Sequence, residues 1–240
     1  ITCRDWSSDV CSSDLLHKSV VVVATSDQPP LVRMRGAYIA TTIAEYFKDQ
    51  GKKVLLMMDS ATRFAMAMRE VGLAIGEPPT TKGYTPSVFA ALPKLLERTG
   101  NFPEGSITGL YTVLVEGDDF NEPISDAMRS ILDGHIVLSR DLAARNIYPP
   151  IDILASASRV MSDVTDEHHR MLVGRFKETL ATYRQSEDLI NIGAYKSGSN
   201  PGIDFAIKKI DAMTAYQKQA VVDPVTLEES VQGLQQLFEG

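Results

Sequence analysis

A carboxylate and a guanidinium follow an apolar run in the first half of the chain. Residues 54–58 are all apolar, Asp59 comes directly after them, and Arg63 follows four residues later. Such a run is typical of a buried strand, and ligands of open α/β sheets bind beyond the carboxyl ends of the strands. Asp59 is therefore suited to holding Mg²⁺ on a nucleotide phosphate, or else it caps the next helix. Arg63, one helical turn later, either faces the same edge or forms an ion pair with Glu70.

Two more side chains flank a second predicted strand, residues 152–155. Arg159 follows this strand and three small residues, so its side chain is expected to emerge at the edge of the sheet. Tyr148 precedes two prolines that hold its loop rigid, and an adenine base can stack on such an aromatic ring. The alternatives are that Arg159 caps the C-terminal helices and that Tyr148 packs against them.

Strands and helices must alternate to place these residues at one edge. The predicted strands are residues 20–24, 54–59, 107–115, 135–138 and 152–155. Helical patterns lie between the first four, including one that carries Ile39, Ile43 and Phe47 on one face. This alternation indicates an α/β fold with a mostly parallel sheet. After Ser158 the pattern becomes entirely helical, and Thr226 with Glu229 forms a capping box for the last helix.

The first fourteen residues differ from the rest of the chain. They contain both cysteines and the only tryptophan, and they show no apolar periodicity. They resemble a translated sequencing-adapter string, and they lack the apolar segment of a signal peptide. We therefore expect residues 1–14 to be a non-native leader and the natural protein to begin further upstream.

Composition narrows the possible function classes. The net charge is −7, which disfavours a protein that mainly grips nucleic acid. No apolar run approaches the length needed to span a bilayer, and nothing marks a disulfide scaffold. A cytoplasmic globular protein is the expectation.

Several blocks together resemble one family. The blocks, in order from about Ser19 to the C-terminus, are residues 24–30, 54–59, 72–79, 115–119, 133–140, 148–152 and 154–161. They are similar to the flagellar protein-export ATPases, which are the type III secretion relatives of the rotary ATP synthase catalytic subunit. Residues 190–195 and 200–210 favour the flagellar branch over the injectisome branch.

The resemblance implies a fold and a set of roles. Residues 15–160 would form part of a RecA-like ATPase core, and residues 161–240 an all-α C-terminal domain. Asp59 would hold Mg²⁺, and Arg63 would lie near the γ-phosphate of ATP. Tyr148 would contact the adenine, and Arg159 would be the arginine finger donated to the neighbouring subunit.

One departure from the family pattern is important. The phosphate-binding motif G-x-x-x-x-G-K-[ST] does not occur in the 240 residues, and the family's catalytic glutamate would lie upstream of the first strand. We therefore expect a truncated P-loop ATPase core that lacks the P-loop. The full-length parent should hydrolyse ATP, and this chain alone should not.

The resemblance also implies an assembly and a location. We expect a homohexamer at the export apparatus, cytoplasmic and peripheral to the inner membrane. The implied partners are the export regulator, stalk proteins, substrate–chaperone complexes and the membrane export gate, with no nucleic acid. An injectisome ATPase and a non-catalytic ring subunit of the same fold remain alternatives, and a nucleic-acid translocase is disfavoured by the acidic balance.

Overall fold

The structure is a computed structural model that describes residues 18–239, apart from the side chain of Asp118. The proposed leader, residues 1–14, lies outside the described part. The helices are α1 (Pro30–Lys48), α2 (Ala61–Ala74), α3 (Pro86–Leu96), α4 (Pro123–Ile131), α5 (Arg140–Ala144), α6 (Met161–Val164), α7 (Glu167–Asn191), α8 (Pro201–Gln217) and α9 (Leu227–Glu239). The strands are β1 (Lys53–Met58), β2 (Gly100–Asn101), β3 (Ser106–Tyr111), β4 (Gly134–Leu138) and β5 (Ile151–Ser158). The chain divides between Leu132 and Asp133 into two units.

The first unit is built around a three-stranded sheet with the order β1-β3-β2. Strands β1 and β3 run parallel, with Leu56 opposite Gly109 and Met58 opposite Tyr111, while β2 is antiparallel to β3. Helices α1 to α4 supply most of the main core cluster, which contains Ala37, Phe64, Tyr84, Val88, Leu92, Leu95, Ile124 and Met128. The predicted strand before Asp59 and the helix after it are confirmed.

The two faces of this sheet differ in how far their side chains are buried. Leu56 and Met58 point to the buried face. On the opposite face Leu55, Met57 and Leu110 are 59%, 55% and 49% exposed. The sheet is therefore apolar on both faces and buried on one.

The predicted strand over residues 20–24 does not form a strand among the described residues. The segment is also buried only in part: Ala24 is buried and Val22 packs on a small cluster with Ala40 and Leu56. Its other valines, Val20, Val21 and Val23, are 57%, 45% and 57% exposed. A strand is defined by a backbone ladder with a neighbour. The prediction that this apolar run is a fully buried strand is therefore wrong, because the run pairs with no neighbouring strand among the described residues and most of its valines are exposed.

The second unit joins an antiparallel pair of strands to a helical bundle. The pair consists of β4 and β5 with α5 in the connection between them, and is called the hairpin below. Strands β4 and β5 are antiparallel, so these two predicted strands do not extend the parallel pair. Helices α7, α8 and α9 pack around a cluster made of Leu172, Phe176, Leu180, Met213, Leu234 and Phe238. The hairpin thus groups with the helices, although the sequence suggested a boundary at residues 160 and 161.

Candidate functional site

A helix N-cap lies at the carboxyl end of β1, where α2 begins. The Ser60 hydroxyl oxygen accepts a hydrogen bond from the Arg63 backbone N–H at 3.3 Å and caps α2. The capping role considered for Asp59 is therefore wrong, because its neighbour performs it. Asp59 lies exposed between the strand and the cap. Its carboxylate is thus placed at the carboxyl end of a parallel strand, where ligands bind.

Asp59 and Arg63 share a cavity of about 330 Å³ in the first unit. The cavity is lined by Ala24, Ser26, Arg33, Ala37, Met58, Asp59, Ser60, Arg63, Phe64, Met66 and Leu114. One carboxylate and two guanidinium groups thus surround a space with an apolar floor. Such a combination suits an anionic ligand that carries a cation, because the Arg63 guanidinium can attract the anion and the Asp59 carboxylate can attract the cation.

Arg33 was not singled out in the sequence. One of its terminal nitrogens donates to both Glu70 carboxylate oxygens at 2.8 Å, and its Nε donates to the Gln28 carbonyl oxygen at 3.1 Å. The Glu70 ion pair considered for Arg63 is thus formed by Arg33, which ties the start of α1 to α2 at the cavity wall. In the sequence, only its position just after the two prolines at the start of α1 could have pointed to Arg33.

The residues around the cavity can be tested for magnesium. Among the described residues, no group of three or more His, Cys, Asp or Glu side chains could hold a metal ion by itself. Asp59 supplies a single carboxylate. Mg²⁺ usually takes one or two protein carboxylates together with waters and substrate phosphates, so this donor set fits magnesium that arrives on a nucleotide.

Tyr148 lies in the second unit, in the loop before β5. The Pro150 carbonyl accepts from the Ser139 N–H at 2.8 Å, and the Tyr148 carbonyl accepts from the Gln219 N–H at 2.9 Å. The loop is thus fastened both to the end of β4 and to the connection between α8 and α9. The Tyr148 side chain remains 52% exposed, so its ring has a free surface for stacking. No local pattern in the sequence predicted the contact with Gln219.

Arg159 comes directly after the last residue of β5. Its backbone N–H donates to the Asp133 carbonyl oxygen at 2.7 Å, which extends the hairpin by one bond. The residue is exposed. Tyr148 and Arg159 thus flank β5 in the second unit, while Asp59 and Arg63 belong to the first.

Two family models match the chain. The model described as the ATP synthase alpha/beta family, nucleotide-binding domain, matches residues 2–158. The model described as the T3SS EscN ATPase C-terminal domain matches residues 165–236. The α/β class followed by a helical region is confirmed by these matches and by the solved structures below.

Relatives and solved structures agree with these models. A flagellum-specific ATP synthase of Bacillus subtilis is 59% identical over 234 residues, which cover 98% of this chain and 53% of the relative. The structure of the assembled ATPase EscN from the enteropathogenic E. coli type III secretion system has a TM-score of 0.87 and 53% identity, covering 90% of this chain and 52% of that one. EscN in complex with its central stalk EscO has a TM-score of 0.82 and 52% identity, covering 90% and 51%. The chain therefore spans about half the length of the proteins it matches.

Proposed function

The chain belongs to the ATP synthase alpha/beta family, and we propose that it is the C-terminal part of an ATPase that energises flagellar type III protein export. The observation that carries this proposal is the cavity after β1, where Asp59 and Arg63 lie together as nucleotide chemistry requires. The 59% identity with a flagellum-specific relative supports the flagellar branch. Within this proposal, residues 15–160 belong to the ATPase core and residues 161–240 form the C-terminal helical domain.

In the proposed site Asp59 would hold Mg²⁺, directly or through water. The metal would neutralise charge on the β- and γ-phosphates of ATP. The Arg63 guanidinium, from the first turn of α2, would donate hydrogen bonds to the γ-phosphate. The Arg33–Glu70 pair would keep the wall of the cavity in place, since it joins α1 to α2.

The second unit would act on the same class of ligand with two other side chains. Tyr148 would stack on the adenine base, which needs an exposed ring in a fixed loop. Arg159 would reach the nucleotide of the neighbouring subunit in a homohexameric ring and stabilise charge in the transition state. The chain's lack of a phosphate-binding loop leads us to expect no hydrolysis by the 240 residues alone.

An injectisome ATPase is the second candidate, and the likeness to EscN favours it. A non-catalytic ring subunit is a third. The proposed partners are the export regulator, stalk proteins, substrate–chaperone complexes and the membrane export gate. The proposed location is the cytoplasmic side of the inner membrane. Within the described residues, no helix is both long and apolar enough to cross a membrane.

A chimera tests the proposal. The N-terminal part of the chimera comes from the Bacillus subtilis relative and ends just before the residue that aligns with Lys18. The rest is residues 18–240 of this chain. We expect magnesium-dependent ATP hydrolysis by the chimera, none by the 240-residue chain, and restored swimming in a strain that lacks the relative. Asp59→Asn in the chimera should lower hydrolysis strongly. A folded, assembled chimera that neither hydrolyses ATP nor restores swimming would refute the proposal.

A further inference from the structure

Strand β5 contains a bulge that a regular hairpin does not need. His135 pairs with Ala157 and Val137 pairs with Asp152. Between these pairs, Ile136 alone on β4 faces residues 153–156 on β5. Bulges redirect side chains and often occur beside functional sites. The bulge here lies between Tyr148 and Arg159 along the chain.

Asp152 organises the bulge. One of its carboxylate oxygens accepts from the backbone N–H groups of Leu154 and Ala155, at 3.0 and 3.1 Å. The Ser156 hydroxyl donates to the Asp152 carbonyl at 2.6 Å and accepts from the Val137 N–H at 2.9 Å. The N–H groups of Val137, Leu154 and Ala155 are thus satisfied locally, which gives the bulge a defined shape.

The same carboxylate holds the bulge to helix α7. One terminal nitrogen of Arg184 donates to both Asp152 oxygens, at 3.0 and 2.9 Å. Burial opposes ionisation of Asp152, but the hydrogen bonds from Arg184 and from the amides of Ala155 and Leu154 keep the pKa of the carboxyl below its ordinary value. Asp152 is therefore charged at neutral pH, and the ion pair is partly shielded, with side-chain exposures of 20% for Asp152 and 33% for Arg184.

Apolar packing joins the same two elements. Ile153 and Leu154, at the crest of the bulge, pack against the bundle cluster that includes Leu172 and Phe176. Lys177, also on α7, donates to the Ser156 carbonyl oxygen at 3.4 Å. The bulge is therefore attached to the bundle by an ion pair, a hydrogen bond and apolar contacts.

We propose that the Asp152–Arg184 pair is a positioning device for catalysis, which fixes the bulge to α7 and thereby sets where Arg159 emerges from β5. Only Ala157 and Ser158, which pair with β4, separate the bulge from Arg159, so a shift of the bulge is passed to the Arg159 backbone through these two residues. Both residues of the pair act through Arg159 and do not touch the nucleotide. This inference rests on the finger role proposed for Arg159.

The chain offers matched variants. Arg184→Gln removes the positive charge at position 184 of α7. Arg184→Lys keeps a positive charge there but lacks the planar guanidinium group. Asp152→Asn keeps an oxygen for the two backbone amides but loses the ion pair. Arg145→Gln is the control, because Arg145 also pairs with α7, through Glu187 at 2.8 Å, without touching the bulge.

The first measurement uses the 240-residue chain itself. Hydrogen exchange of the Leu154 and Ala155 amides should become faster in Arg184→Gln and remain unchanged in Arg145→Gln. Unchanged exchange at these amides in Arg184→Gln would overturn the attachment of the bulge to α7. This readout does not depend on any activity.

The second measurement uses the chimera. Arg184→Gln should lower kcat about 10- to 100-fold, because misplacing a catalytic group by about 1 Å has costs of this order. KM should change much less than kcat. Arg184→Lys should recover part of kcat, and Arg145→Gln should have the kcat and KM of the unsubstituted chimera. In an Arg159→Ala background Arg184→Gln should have no further effect.

The outcomes separate this inference from the proposed function. If Arg159→Ala loses activity while Arg184→Gln and Asp152→Asn keep the parent kcat, the positioning role is wrong and the finger role stands. If Arg159→Ala keeps the parent kcat, the finger role fails, and the positioning role fails with it. If Arg184→Gln does not fold, Arg184→Lys and Asp152→Asn are read by the same criteria.

Discussion

Removing the Arg159 guanidinium should abolish most hydrolysis without unfolding the protein. Arg159 is exposed and follows the end of β5, and substitutions at such positions usually change stability by less than about 0.5 kcal/mol. Its contribution should therefore appear almost entirely in the rate. Nucleotide binding by isolated chimera subunits should stay nearly intact, because a residue donated from a neighbour meets the phosphates only in the assembled ring.

The size of the effect follows from the charge that Arg159 would neutralise. Arginine fingers contribute about 10³–10⁵ in rate where they have been measured. At about 1.4 kcal/mol per factor of ten, this corresponds to about 4–7 kcal/mol of transition-state stabilisation. Arg159→Ala in the chimera should lose a rate factor in this range, with circular dichroism and ring size unchanged.

Mixing two inactive variants tests whether Arg159 acts across the interface. By the proposed roles, Asp59→Ala should damage magnesium handling within its own subunit, and Arg159→Ala should damage the neighbour's site. When equal amounts assemble at random, about one quarter of interfaces combine an intact Asp59 with an intact Arg159. Turnover should therefore rise from near zero to about one quarter of the parent value and peak at equal mixing.

A double variant provides the control. Arg159→Ala mixed with the Asp59→Ala, Arg159→Ala double variant contains no intact Arg159, so it should stay inactive at every ratio. Sizing and labelled subunits must first establish that mixed rings form. If they form and no ratio of the two single variants exceeds either alone, Arg159 does not act in trans.

Two further predictions concern the first unit. Hydrogen bonds from Arg98 keep the pKa of Glu45 below its ordinary 4.5 despite partial burial. The ionised Glu45 carboxylate therefore stabilises the folded state above about pH 4.5. This contribution to the free energy of unfolding is lost as the pH falls through the lower pKa of the folded state. Urea unfolding should show the largest deficit of Glu45→Gln at neutral pH and a shrinking deficit in acid, and a pH-independent deficit would contradict this. Ser60→Ala should cost about 1 kcal/mol of unfolding free energy because it removes the cap of α2, whereas Ser60→Gly should cost less. Equal losses in the two Ser60 variants, measured by the same unfolding assay, would argue against the cap.

Local signals in the sequence predicted local structure well. The apolar run before Asp59 predicted β1. The capping box was also correct, since Thr226 and Glu229 exchange hydrogen bonds at the start of α9. Each of these features depends on residues only a few positions apart, so the chain itself contains the information.

Features that depend on distant partners were missed. The helical pattern assigned Ile39 to the inward face of α1, yet its side chain is 52% exposed and the buried face consists of small residues such as Gly36 and Ala40. A Cβ at Gly36 would lie 3.2 Å from that of Ala24, so the small residues on this face allow a close approach. The pairing of Arg33 with Glu70 likewise joins residues far apart in sequence. No local pattern encodes either contact.

The half-covered sheet has a practical consequence for anyone preparing this chain. Leu55, Met57 and Leu110 present an apolar surface to water, and surfaces of this kind promote self-association when they are contiguous. Yield and monodispersity of the isolated chain should therefore worsen with concentration and salt. A lysine at position 57 would place charge on this face without entering the core, which makes Met57→Lys a sensible first change for obtaining well-behaved samples.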